Sequence, residues 1–134
     1  MRKQIAAANW KMNLTYQQGE ELLDAILKEN IELKEHQQAV FAVPFPYLIM
    51  AQTRLGKKKN YGAAAQNCSD QPAGAYTGEV SAEMLHSIGI RYCVLGHSER
   101  REYFKETNKE LADKVNLALA AGISPIFCCG EAIR

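Results

Sequence analysis

Short apolar runs alternate with capped amphipathic segments along the whole chain, and this alternation restricts the fold more than any other feature. The runs are Ile5–Asn9, Ala39–Val43, Tyr61–Gln66, Ile90–Leu95 and Ile123–Cys128. Each is short, apolar and bounded, which reads as a buried strand. Thr15 with Gln18 forms a capping box, and Leu22, Leu23, Ile26 and Leu27 follow at helical spacing. Pro46 suits the first turn of a helix carrying Leu48, Ile49, Ala51 and Leu55. Ser81 caps a short helix with Met84, Leu85 and Ile88, ended by Gly89. Thr107 with Glu110 gives a second capping box, and Leu111, Val115, Leu117, Ala118 and Leu119 lead to a stop at Gly122. Pro125 is tolerable because it lies near a strand start. Strand then helix, four times over and followed by one more strand, specifies right-handed parallel units of the α/β class. Periodicity leaves both a closed barrel and an open doubly wound sheet available. No Gly-x-Gly-x-x-Gly follows the first strand and no Walker loop occurs, which argues against the two commonest nucleotide-binding sheets.

The 134 residues are enough for one core of ordinary domain size. A formal net charge of +1 predicts no nucleic-acid partner. Lys57-Lys58-Lys59 is the only basic cluster and reads as a solvated loop, because no aromatic or further basic residues extend it. Cys68, Cys93, Cys128 and Cys129 form no Cys-x-x-Cys pair and have no histidine at zinc-ligand spacing, so no metal site is expected. Cys93, Cys128 and Cys129 fall in apolar runs, where cysteine acts as a small hydrophobe. No signal peptide and no apolar run near the ~20 residues of a membrane span is seen. The expectation is a cytoplasmic protein without membrane contact.

Two strand ends carry chemistry. Asn9-Trp10-Lys11 follows the first strand, and Gly96-His97-Ser98-Glu99 follows the fourth. In one parallel sheet both ends would open on the face where such folds bind ligands. Lysine offers a compact cation to an anionic substrate. Imidazole can give and recover a proton near neutral pH. The bland alternatives are a surface lysine, a strand-end turn asparagine and a structural histidine. His36 and His86 read as helix or loop surface. Residues 67–78 form a polar connection longer than usual for a strand-to-helix loop, and such loops are often functional.

Five motifs occur in order: Asn9-Trp10-Lys11-Met12-Asn13, Gln66-Asn67, Gly74-Ala75-Tyr76-Thr77-Gly78-Glu79, Gly96-His97-Ser98-Glu99-Arg100-Arg101 and Cys128-Cys129-Gly130-Glu131. Together they resemble the N-terminal half of the triosephosphate isomerase family. The resemblance implies a TIM (β/α)₈ barrel, with residues 1–134 as the N-terminal portion of a single barrel domain: the first four β/α units plus the fifth strand. It implies cofactor-free interconversion of dihydroxyacetone phosphate and glyceraldehyde 3-phosphate through an enediolate, in glycolysis and gluconeogenesis. This family is itself the standard example of a neutral histidine acting as electrophile.

By the same resemblance, Lys11 holds phosphate and enediolate charge, and Asn9 places its amide beside the substrate oxygens. His97 polarises the carbonyl and shuttles a proton between the oxygens. A short helix beginning at Ser98 would disfavour an added positive charge on it. Glu99 supports Lys11 from behind, with Ser98 beside it. Arg100 and Arg101 make ion pairs with the scaffold, and Glu131 is a structural ion-pair residue. The loop carrying Gly74, Tyr76 and Thr77 reaches into a second subunit, implying a homodimer.

The family's general-base glutamate, its lid and its phosphate-gripping loops belong to later strands and have no counterpart in residues 1–134. The expectation is a chain inactive alone, with uncovered apolar strand edges that make it marginal or oligomeric. A non-catalytic, self-associating half-barrel is the alternative. An open flavodoxin-like sheet binding a phosphorylated ligand is a more distant one.

Overall fold

The computed structural model describes residues 2–130. Two compact units are present, Met1–Gln66 and Asn67–Arg134. The first contains β1 (Gln4–Asn9), α1 (Tyr16–Lys28), β2 (Gln37–Ala42), a single 3₁₀ turn (Phe45–Tyr47), α2 (Leu48–Leu55) and β3 (Tyr61–Ala65). The second contains α3 (Ala82–Ser87), β4 (Tyr92–Leu95), α4 (Ser98–Tyr103), α5 (Asn108–Ala120) and β5 (Ser124–Phe127).

In the first unit β1 and β2 run parallel with Ala6 opposite Ala39 and Asn9 opposite Ala42. β2 and β3 are also parallel, with Ala42 opposite Ala64. The expected capping box forms: Thr15 Oγ1 accepts from Gln18 N at 3.4 Å, and Gln18 Oε1 accepts from Thr15 N at 3.0 Å. Thr15→Ala should therefore lower stability by about 1 kcal/mol in urea unfolding, with Thr15→Ser close to wild type. Pro46 falls in the 3₁₀ turn rather than in α2 itself. Leu23, Val40, Val43, Leu48, Ala51 and Leu55 bury almost completely and form this unit's core with the alanines of β3. Arg54 on α2 ties to α1 through Asp24 at 2.7 Å and through Glu20.

β1 departs from expectation. All six of its residues are exposed, so it is not the buried strand its apolar sequence suggests. Its pairing with β2 leaves Ile5 at 42% exposure. Apolar content marks what a strand is suited to face, and nothing among the described residues covers this one.

In the second unit β4 and β5 are parallel, with Leu95 opposite Phe127. β4 begins two residues later than expected, because Ile90 belongs to the Gly89 turn, where its N–H bonds to Leu85 O at 3.1 Å. Pro125 is the second residue of β5, and the ladder closes around it through Ser124 N to Arg91 O and Cys128 N to Leu95 O, both 2.8 Å. β5 stops at Phe127, so Cys129 is exposed rather than strand-packed, and Cys128 is half-buried. The second capping box is incomplete. Thr107 Oγ1 accepts from Glu110 N at 3.2 Å, but the Glu110 carboxylate accepts from the Thr107 hydroxyl at 3.3 Å instead of from its backbone. Leu85, Ile90, Leu95, Leu111, Ala118 and Ile123 form the core.

That core also holds charge. Lys114 and Glu106 form an ion pair with side chains only 5% and 3% exposed. Arg100 Nε reaches the same Glu106 oxygen at 3.0 Å, and Lys114 Nζ donates to Asn67 Oδ1 at 2.9 Å. Burial on its own would raise the Glu106 carboxyl, but hydrogen bonds from Lys114 and Arg100 outweigh it and hold it below its ordinary range.

Candidate functional site

The three strands of the first unit run the same way, so Asn9, Ala42 and Gln66 come to one edge. Beyond β1 the ladder continues one step, with Trp10 N bonding to Ala42 O at 2.9 Å. The Trp10 ring then packs on α1, where a Cβ at Gly19 would stand 3.2 Å from it. Lys11 takes a left-handed backbone with φ of 57°. That conformation costs a non-glycine residue of order 1–3 kcal/mol and persists only where the surroundings enforce it. Here they do. Lys11 N donates to Asn9 Oδ1 at 2.9 Å, and Gln66 Nε2 donates to Lys11 O at 2.9 Å. The same Gln66 amide lies 3.2 Å from Ala42 O and 3.3 Å from Asn9 Oδ1. With Oδ1 committed to these donors, the NH₂ end of Asn9 is the part suited to meet an anionic ligand.

In the second unit β4 ends at Leu95, and Gly96 turns the chain with φ of +75°. His97 is the N-cap of α4, so the expected short helix after it is present. Its Nδ1 accepts the backbone N–H of Glu99 at 3.1 Å. An accepting Nδ1 assigns the proton of the neutral ring to Nε2. Glu99 Oε1 stands 3.4 Å from Nδ1, and the imidazole is 25% exposed. Ser98 is the first residue of α4 and is exposed. This arrangement offers an oriented N–H from a ring that can take the proton back.

Arg101 fixes the strand ends of this unit. Its guanidinium donates to Gly96 O at 2.8 Å, Cys128 O at 3.0 Å and Asn108 Oδ1 at 3.2 Å. Arg100 makes its expected ion pair, with Glu106, whereas the bonds of Arg101 to the described residues all go to carbonyl oxygens. Glu131 lies outside the described residues.

The loop of residues 67–81 is ordered at its base, where Ser69 N bonds to Val80 O at 2.8 Å. Gly74 and Gly78 have φ of 115° and 93°, values that glycine adopts without strain. Gly74, Tyr76 and Thr77 are all exposed. His86 is exposed on α3, and His36 is half-buried before β2.

Two contributors were not assigned roles from sequence. Gln66 carried only the signal of a polar residue at a strand end. Lys114 stands three residues after Leu111 and four before Ala118, on the apolar face of α5, and that position was its signal. Among the described residues no group of three His, Cys, Asp or Glu is placed to hold a metal ion. No described helix is long and apolar enough to cross a membrane.

Parallel strand–helix units with polar, strained and proton-carrying residues at the carboxyl ends of their strands define an α/β protein of the β/α-barrel class. The triosephosphate isomerase family profile matches residues 4–134. Triosephosphate isomerase of Bacteroides fragilis is 48% identical over 138 residues, covering 100% of this chain and 53% of the relative. That of Cytophaga hutchinsonii is 44% identical over 134 residues, covering 99% and 53%. That of Porphyromonas gingivalis is 47% identical over 137 residues, covering 100% and 53%. The chain spans about half the length of these curated relatives. It belongs to the triosephosphate isomerase family, and its fold is a partial TIM barrel.

Proposed function

We propose that the chain supplies the electrophilic and cationic part of a triosephosphate isomerase active site, within a single barrel domain. The substrate is a triose phosphate, dihydroxyacetone phosphate or glyceraldehyde 3-phosphate, interconverted in glycolysis and gluconeogenesis in the cytoplasm. His97 polarises the carbonyl through Nε2–H and passes a proton between the two oxygens of the enediolate. Lys11 stabilises negative charge on the same ligand, and Asn9 donates to its oxygens. Ser98 and Glu99 keep their expected supporting roles. The observation that carries this reading is the Glu99 N–H bond to His97 Nδ1, which leaves the proton on the opposite nitrogen.

The residues matched here include no base for the carbon proton. Positioning and charge stabilisation each carry a large share of a rate enhancement, so half of a site gives almost none of it. The chain by itself should show no turnover of glyceraldehyde 3-phosphate above background. Mixing it with the remaining segment of the Bacteroides fragilis relative should restore turnover. Turnover by the isolated chain would overturn the reading, as would none from a mixture shown to associate.

The homodimer is part of the same proposal. The base of the loop is tied, its tip is exposed, and Thr77 sits at that tip. Burying a carboxylate there without a partner is costly. Thr77→Asp should therefore convert the assembled protein from dimer to monomer in sedimentation equilibrium, and an unchanged mass would count against the interface. The exposure of β1 along its full length favours one second reading, a self-associating non-catalytic half-barrel. Concentration-dependent mass without turnover after complementation would select it.

A further inference from the structure

We propose that Arg101 is the positioning residue of His97: it holds the backbone on both sides of the imidazole and so sets where Nε2–H points. This deepens the electrophilic role proposed for His97 and rests on it. The sequence sets Arg100 and Arg101 side by side, and the structure separates their tasks. Arg100 turns to the buried Glu106 carboxylate. Arg101 turns its guanidinium to the carbonyls around the His97 turn.

His97 stands where β4 has ended and α4 has not begun, directly after a glycine at φ of +75°. A chain leaving a strand through glycine has several ways to continue, and the imidazole moves with the one it takes. Arg101 removes that freedom. Its Nε donates at 2.8 Å to Gly96 O, on the peptide that enters His97. Its backbone N–H donates at 3.1 Å to His97 O, on the peptide that leaves. Between these two bonds His97 is held at φ of −56° and ψ of 141°. The hold is anchored outside α4. Nη2 donates to Cys128 O at 3.0 Å, just past β5, and Nη1 to Asn108 Oδ1 at 3.2 Å, at the start of α5. Cys128 N in turn donates to Leu95 O at 2.8 Å, at the end of β4. The guanidinium carbon lies 5.5 Å from the centre of the Phe127 ring. A Cβ at Gly96 would stand 2.9 Å from Nη2, so the fork fills the space beside the turn.

Three acceptors in three directions suit a planar fork, whereas a lysine offers one nitrogen at one point. The effect reaches the ring through the start of α4. His97 O accepts from both Arg100 N and Arg101 N, and this first turn brings Glu99 N to 3.1 Å from His97 Nδ1. Loosening Arg101 therefore disturbs the bond that assigns the proton to Nε2, without touching the imidazole itself.

The test has two arms. In the first, the full chain is isotopically labelled in its nitrogens, and the His97 imidazole is read by NMR in wild type, Arg101→Lys and Arg101→Ala. The wild type should hold the proton on Nε2, and the variants should spread it over both nitrogens. Circular dichroism checks that each variant folds, and Arg101→Lys decides the matter if Arg101→Ala does not. In the second arm, the complemented enzyme carrying Arg101→Lys should lose about 10²-fold in kcat with KM little changed, the scale of a small misplacement of a reacting group. Added guanidinium, well below the concentrations that unfold the chain, should restore part of what Arg101→Ala loses. In a His97→Gln background Arg101→Lys should cost almost nothing further, whereas a residue that only held the fold together would cost the same in both backgrounds. A folded variant with unchanged imidazole nitrogens or unchanged kcat would overturn the assignment, as would equal losses in the two backgrounds. If the complemented wild type shows no turnover, the role proposed for His97 falls, and the nitrogen shifts alone decide whether Arg101 fixes the ring.

Discussion

Glu106→Ala should lower the unfolding free energy by about 3–5 kcal/mol, because it strands the buried Lys114 ammonium with a neutral amide as its remaining partner. Total stabilities are about 5–15 kcal/mol, so the loss is a large fraction of what holds the chain folded. Urea unfolding followed by circular dichroism measures it. Replacing both partners, Glu106→Ala with Lys114→Met, should recover part of the loss, since the penalty is the unpaired charge rather than the missing bond. A double variant worse than the sum of the single ones would refute this account. The pair also sets a pH dependence. The folded Glu106 value lies below the ordinary one near 4.5, so its contribution is fully present above that value. It is lost as pH falls through the lower, folded value. Glu106→Gln should remove this part of the acid sensitivity.

The second large effect concerns turnover. In the complemented enzyme, His97→Gln should reduce kcat by about 10²–10⁴, the range for losing a positioned proton-transfer group. Glutamine keeps an N–H donor but cannot give up and recover a proton near neutral pH, so the loss falls on kcat more than on KM. Nitrogen shifts of the imidazole by NMR provide a separate check, with the proton expected on Nε2 at neutral pH. A variant with unchanged kcat would remove His97 from the chemistry.

Much of this was legible in the sequence. Thr15 and Gln18 announced the start of α1 because a capping box is local chemistry, complete within four residues. Gly89 and Gly122 marked helix ends for the same reason. Family resemblance pointed to Asn9, Lys11 and His97, and the structure adds what no local pattern carries. The left-handed turn at Lys11 is enforced from just beyond β3, 55 positions away, through Gln66. The pair of Glu106 and Lys114 likewise joins a residue before a helix to one inside it. Lysine on an apolar face reads as an error of pattern until its partner is seen. The failure at β1 has a different cause. Apolar composition states a preference for burial, while burial itself depends on what other segments bring.

Gln66 has one further consequence. Its single NH₂ group faces three oxygens, from Asn9, Lys11 and Ala42, at 2.9–3.3 Å. Two hydrogens serve three acceptors, so one is shared and none is spare. Slow hydrolysis of that amide to an acid, an ordinary event in an ageing protein, would turn a clasp into a wedge. An anionic oxygen would then stand against the oxygens that the amide formerly drew together, and the lysine's unusual backbone would lose one of the two bonds that enforce it. Exchange of one amide nitrogen for oxygen at this position, nearly invisible in mass, would loosen the strand edge that carries Asn9 and Lys11.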